Sequence, residues 1–214
     1  MRYLKAGLLT TALLCAPGAI AAGPKQPPRL VVQITVDALR GDLPGRYAHL
    51  FGDDGFRYLM DQGVHYTNAH YQHANTETIV GHVSLATGTE PAAHGMVGTV
   101  WFDREEGRLV YNIEDPDYHL LTVGADVDRD TEIDPTQKAA KVDGRSPATI
   151  LSSTFSDELA VHTNGKSKIF GVSVKDRGAV SLAGHAGKAF WFSKAGGEFV
   201  TSSYYYDDYL EWVK

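Results

Sequence analysis

A hydroxyl at Thr78 stands directly before Ile79–Thr87, a run free of helix breakers within Tyr71–Gly95 (YQHANTETIVGHVSLATGTEPAAHG). A helix beginning there turns its unpaired N–H groups and the positive end of its macrodipole toward the threonine and any approaching anion. Phosphate is the natural guest. Gly81 removes a side chain one turn on, and His82 falls four residues on, on roughly the same face. This is a setting for a nucleophilic threonine. Taken alone, the stretch is also explained by Asn75, Thr76 or Thr78 capping a buried helix, so supporting chemistry has to come from elsewhere.

Asp37 ends the apolar run Leu30–Val36. An acid there serves either as a turn former or helix cap, or as a rigidly held hard oxygen ligand for Zn²⁺, Mg²⁺ or Mn²⁺ sharing a cleft with Thr78. A metal or a general base is needed because an aliphatic alcohol is almost entirely protonated at neutral pH. Lys175 and Arg177 are separated by one residue, so on a continuing strand they point to the same face. They read as an exposed cationic pair or as a clamp on phosphoryl oxygens. His73, His82, His94 and His185 have no compelling ligand spacing and are expected to make structural hydrogen bonds. The acid-rich Asp126–Asp134 (DVDRDTEID) has Thr131 where a calcium loop wants Gly and Gln137 where it wants Glu, so a solvated loop is expected.

The elements that must position these residues alternate. Leu30–Val36 reads as a strand buried on both faces, Leu50–Gln62 as a helix stopped by Gly63, and Val64–Tyr71 as a second strand. The helix at Thr78 follows, then a Trp101–Ile113 hairpin with a Glu-Glu-Gly turn, then a long polar excursion over Asp115–Arg145. Ser146-Pro147 predicts a cap and first helical residue, with Ile150–His162 at helical spacing. Lys168–Val174 reads as a further strand ending at Lys175. The order argues for an α/β fold, a mostly parallel sheet flanked by helices, with ligands gathering at the carboxyl ends of strands.

Residues 1–21 have the basic start, apolar middle and small-residue Ala19-Ile20-Ala21 end of a secretory signal peptide, and 22–29 read as a linker. The chain is therefore expected in the periplasm or outside the cell. Cys15 follows Leu14, which does not suit a lipoprotein signal, and no other cysteine is present. Loss of Arg2 and Lys5 with no acid takes the formal charge from −6 to −8. Such a chain offers no general nucleic-acid-binding surface, and no later segment is apolar enough to span a membrane.

Four segments, taken in order, resemble one family: Leu30–Arg40 with Asp37, Thr78-Ile79-Val80-Gly81-His82, His94–Gly98 with Trp101-Phe102-Asp103-Arg104, and Gly171–Ala179 with Lys175 and Arg177. The chain from about Leu30 onward is similar to bacterial secreted alkaline phosphatases of the threonine-nucleophile type, within the alkaline phosphatase and nucleotide pyrophosphatase/phosphodiesterase superfamily. The resemblance implies an alkaline-phosphatase-like fold over 30–214 and hydrolysis of small-molecule phosphate monoesters through a phosphothreonine at Thr78. It implies two Zn²⁺ ions, with Mg²⁺ or Ca²⁺ as alternatives, and makes Asp37 and Thr78 metal ligands. It also makes Lys175 and Arg177 contacts to the phosphoryl oxygens, characteristic of the monoesterase branch. Thr99 stands where the family commonly has an Asn that donates to the phosphoryl group, and a hydroxyl can also donate. Most zinc ligands of the family belong to later Asp and His motifs. The chain therefore reads as the N-terminal portion of a longer catalytic domain, expected to be inactive by itself. Competing readings are a phosphodiesterase or nucleotide pyrophosphatase, a sulfatase, which the absence of its Cys or Ser motif disfavours, and an inactive phosphate-binding module.

Overall fold

The computed structural model describes residues 28–208 and residue 210, so the signal-peptide reading of residues 1–21 lies outside the described residues. The described residues up to Ile34 and those from Thr35 onward belong to two separate units. In the first, the described residues form no helix or strand. The apolar run Leu30–Val36 forms no strand, and Leu30, Val32 and Ile34 are exposed. A strand is held by a hydrogen-bonded neighbour, and no described segment pairs with this run. Val64–Tyr71 departs from expectation for the same reason: it has no strand pairing, and Val64 and Tyr66 are exposed.

The second unit opens with two short helices, α1 (Leu43–Arg46) and α2 (Phe56–Gln62). Gly63 stops α2 as expected, but the helix starts only after Gly55, which has a φ of +62°. Helix α3 spans Thr78–Thr87, as its lack of breakers predicts, and Gly88 ends it in the left-handed conformation. A short α4 (Pro91–His94) and a hairpin of β1 (Val100–Asp103) and β2 (Arg108–Tyr111) follow. The hairpin pairs Val100 with Tyr111 and Asp103 with Arg108. Residues 115–145 then run without a strand or α-helix beyond isolated bridges and one 3-10 turn at Gln137–Ala139.

The next helix, α5 (Phe155–His162), begins well after Ser146. Ser146 instead donates to Asp115 Oδ2 at 2.5 Å and accepts from the Ala148 N–H, closing a turn. The true cap is Thr154, in a reciprocal capping box with Asp157. Beyond it, β3 (Phe170–Ser173), α6 (Asp176–Ala183) and β4 (Lys188–Ser193) form a βαβ unit with parallel β3–β4 pairing, and β5 (Glu198–Val200) adds antiparallel to β4. Among the described residues, parallel pairing is confined to β3–β4. Gly171 lets α6 lie close on β3, because a Cβ there would run into the Ala179 carbonyl and sit 2.8 Å from Ala183 N.

Two apolar clusters hold these elements. One joins Tyr111, Ile113, Val180, Ala183, Trp191 and Val200, tying the hairpin to the βαβ unit. The other joins Ile79, Val80 and Val83 of α3 to Met96 and Ile150. Helix α3 is buried along most of its length and packs on α6, which fixes its first residue, Thr78. No helix among the described residues is long and apolar enough to cross a membrane.

Candidate active site

Asp37 sits in a tight turn rather than at a strand end. Ala38 adopts a φ of +57°, which a residue with a side chain rarely does, and its N–H donates to Asp37 Oδ1 at 3.0 Å. With Oδ1 held, Oδ2 faces α3 and accepts from the Thr78 hydroxyl at 3.4 Å. Two residues 41 positions apart are thereby joined, as their chemistry anticipates.

No side chain caps the first turn of α3. The N-cap residue is Glu77, whose carboxylate instead accepts the Thr99 N–H at 2.6 Å. Asn75 accepts from the Glu77 N–H at 3.3 Å and donates to the Val97 carbonyl at 2.8 Å. The capping roles open to Asn75, Thr76 and Thr78 are therefore not taken up, and Thr78 directs its hydroxyl at Asp37. Thr99 is buried beside Glu77, and its carbonyl accepts from both the backbone and the side-chain amide of Asn112. Asp37, Arg40, Tyr71, Thr78, Gly81 and His82 line one open cleft. Gly81 makes room for Tyr71, since a Cβ there would lie 3.2 Å from the tyrosine oxygen.

The four histidines are engaged as expected. His82 donates from Nδ1 to the Thr78 carbonyl at 2.7 Å, His73 meets Glu90, His94 meets Ser84, and His185 meets Asp157. Burial, the largest influence, pushes the His94 pKa down, which favours the neutral ring its partners require.

Lys175 and Arg177 do not lie on a continuing strand. Lys175 is the N-cap of α6 and Arg177 lies in its first turn, because the chain turns helical at Asp176. They converge all the same, on Asp134: Lys175 Nζ lies 2.5 Å and Arg177 Nη2 3.4 Å from Oδ2. The acidic loop is thus not simply solvated, and Glu132 within it is buried against Lys194 at 3.1 Å. Burial, the largest influence, works to raise the Asp134 pKa, but hydrogen bonds from Lys175 and Thr136 and the Arg177 charge hold it well below the carboxylate range.

Beneath the pair runs a buried polar chain that sequence spacing does not disclose. Arg177 Nη1 donates to the Tyr111 hydroxyl at 3.3 Å, Tyr111 donates to Asp176 Oδ1 at 2.7 Å, and Arg145 Nε donates to Asp176 Oδ2 at 2.7 Å. Burial and the Asp176 charge push the Tyr111 pKa far up, so the phenol stays protonated and can donate. Arg177 Nε is buried without a hydrogen-bond partner.

The two groups adjoin through packing of α3 on α6. A Cβ at Gly178 would lie 2.6 Å from Ser173 Oγ and 3.9 Å from His82 Cδ2, so the first turn of α6 rests one turn along α3 from Thr78. Among the described residues, no hydrogen bond joins Asp37 or Thr78 to Lys175 or Arg177, and no group of three or more His, Cys, Asp or Glu side chains gathers to hold a metal. The Asp37–Thr78 pair nonetheless suits one: two oxygens bound at about 2.1 Å to a single tetrahedral ion stand about 3.4 Å apart.

The profile of the type I phosphodiesterase / nucleotide pyrophosphatase family matches residues 31–212. The chain belongs to that family. As a type I phosphodiesterase / nucleotide pyrophosphatase chain, it is 36% identical over 187 residues to the alkaline phosphatase PafA of Elizabethkingia meningoseptica, covering 87% of this chain and 32% of that protein. It is 35% identical over 187 residues to the alkaline phosphatase PhoV of Synechococcus elongatus, covering 87% of this chain and 31% of that protein. The chain spans about a third of the length of these relatives. The crystal structure of PafA superposes with a TM-score of 0.68 at 34% identity, over 82% of this chain and 31% of that one. A PafA variant substituted at a threonine, an asparagine, a lysine and an arginine superposes with a TM-score of 0.70 at 33% identity, over 83% of this chain and 32% of that one. The fold is therefore the α/β, alkaline-phosphatase-like one, and the motif resemblance holds across this type I phosphodiesterase / nucleotide pyrophosphatase chain.

Proposed function

We propose that the protein to which this chain belongs hydrolyses phosphate monoesters, with Thr78 as nucleophile. The observation that carries the reading is the Thr78 Oγ1 to Asp37 Oδ2 approach of 3.4 Å at an uncapped helix start. The hydroxyl donates toward the carboxylate, leaving oxygen lone pairs for phosphorus. Attack by Oγ1 forms the Thr78 O–P bond as the ester P–O bond breaks, with the hydroxyl proton passing toward Asp37 and the departing alkoxide taking a proton from solvent; water then hydrolyses the phosphothreonine and releases phosphate. Asp37 and Thr78 would hold Zn²⁺, with Mg²⁺ or Ca²⁺ as alternatives; such an ion supplies positive charge that makes the hydroxyl more acidic and offsets charge on the reacting oxygens.

Lys175, Arg177 and Thr99 are proposed to bind the non-bridging oxygens. The spacing of the substitutions in the PafA variant supports this: its threonine and asparagine are twenty-one residues apart, as are Thr78 and Thr99, and its lysine and arginine are two apart, as are Lys175 and Arg177. A monoester carries more negative charge on those oxygens than a diester, so two cations favour it. The signal-like residues 1–21 support a periplasmic or secreted location.

The family description also names diester substrates. The full-length protein assayed with Zn²⁺ on p-nitrophenyl phosphate and bis-p-nitrophenyl phosphate separates the readings. Faster monoester turnover, with the advantage lost in Lys175→Met/Arg177→Met, supports the proposal; faster diester turnover overturns it.

A further inference from the structure

The cations assigned to the phosphoryl group already share a carboxylate of their own chain. Asp134 Oδ2 takes both Lys175 Nζ and Arg177 Nη2, whereas Oδ1 is tied to Thr136 through its N–H at 3.0 Å and hydroxyl at 2.6 Å. The segment behind is pinned as well: the Asp134 N–H donates to Glu132 at 2.8 Å, and Arg129 reaches the carbonyls of Lys138 and Ala140. This is a placed anion on an anchored loop.

The contact does not satisfy the clamp. Arg177 is only 7% exposed, its approach to Asp134 is long, and its Nε is buried with no partner. A guanidinium presents five donors in a fork that matches a multi-oxygen anion, and one oxygen of Asp134 cannot fill it. A phosphoryl group offers three oxygens and greater charge. Lys175 is half-exposed, so its four-carbon stem has room to swing.

We propose that Asp134 is a built-in competitor for the phosphoryl clamp: its carboxylate neutralises Lys175 and Arg177 when no phosphate is bound and is displaced by the substrate's or product's phosphoryl oxygens. The inference rests on the monoesterase reading of Lys175 and Arg177. It makes Asp134 a specificity-determining residue, because a doubly charged group displaces a single carboxylate more readily than a singly charged diester does. It also weakens retention of the phosphate product, since the carboxylate returns as phosphate departs.

Calorimetric titration of the full-length protein with inorganic phosphate tests this without relying on turnover. Asp134→Asn is expected to bind phosphate about threefold to tenfold more tightly than wild type, the effect of removing one partly exposed competing charge. Asp134→Ser, which retains a small polar side chain, is expected to show the same direction should the Asn variant fold poorly by circular dichroism. In an Arg177→Met background the gain should shrink. Unchanged or weaker phosphate binding in both Asp134 variants would overturn the inference, because a residue that merely positions the cations loses affinity on removal. Arg177→Met alone controls for the underlying reading. If phosphate affinity does not fall in that variant, the clamp assignment itself fails and takes the inference with it; if affinity falls but the Asp134 variants do not gain, only the competitor role is lost.

Discussion

Asp176→Asn should unfold more of this protein than any surface change, for reasons that can be counted. The Asp176 carboxylate accepts from Tyr111, Arg145 and the Arg177 N–H at 2.7 Å each, and from Gln137 at 3.4 Å. Both side chains of its pair with Arg145 are 3% exposed. An asparagine can keep Oδ1 on Tyr111 and the Arg177 N–H, but it turns an NH₂ group against the Arg145 Nε–H. The guanidinium then stays buried, with its remaining carbonyl partners at Val142 and Gly144 and a distant Asp126 at 3.6 Å. Stranding a buried charge in this way costs about 3–5 kcal/mol, a large share of a typical total of about 5–15 kcal/mol. Urea unfolding of the full-length variant, followed by circular dichroism, should show that loss. Adding Arg145→Met removes the stranded charge and should recover about 1–3 kcal/mol. A single variant within about 1 kcal/mol of wild type, or a double variant less stable than the single, would refute the reasoning.

Two further outcomes follow from the packing and the titrating groups. Asp134, Asp157 and Asp176 all have depressed pKa values, each against the upward push of burial and chiefly through Lys175, His185 and Arg145 respectively. Their contribution is complete above the ordinary carboxylate value of about 3.9 and falls away below it. The His185 pKa is raised, first by its hydrogen bond to Asp157, so its contribution is complete below about pH 6.5 and lost as pH rises through the folded value. Unfolding midpoints in urea should therefore fall from pH 5.5 to pH 3, and fall less steeply from pH 5.5 to pH 8.5 in His185→Gln than in wild type; an unchanged alkaline slope would count against the pair. Gly171→Ala should destabilise by about 1–3 kcal/mol, because its Cβ meets α6 backbone that has little room to yield. A neutral thermal melt would show that α6 does not sit so close to β3.

The legible parts of the chain are those specified by neighbours in sequence. Helix α3 starts at Thr78 and runs to Thr87, the end of the breaker-free stretch, and the β1–β2 hairpin closes over the Glu105-Glu106-Gly107 turn. Helix α5 starts later than the sequence suggests because Ser146-Pro147 imitates a helix start, whereas Thr154-x-x-Asp157 carries the real one. Leu30–Val36 has strand composition, but composition cannot supply the pairing partner that makes a strand. Chemistry and motif order single out Asp37, Thr78, Lys175 and Arg177 in the sequence, and the structure joins Asp37 to Thr78 and brings Lys175 and Arg177 together on Asp134. Asp134, Tyr111, Asp176 and Arg145 carry no such signal, because their contacts join residues 31 to 66 positions apart through folding alone. The acid spacing in Asp126–Asp134 resembles a calcium loop only superficially, and the pairing of Asp134 with Lys175 has no local signal.

The central claim is that Thr78 attacks phosphorus, and the most direct measurement is to look for phosphate on its oxygen. The full-length protein, quenched in acid during turnover of p-nitrophenyl phosphate and digested, is predicted to yield a peptide phosphorylated at Thr78 by mass spectrometry, and Thr78→Ala should lose both the modification and the turnover. A Thr78→Ala variant that hydrolyses the monoester at the wild-type rate would contradict the account.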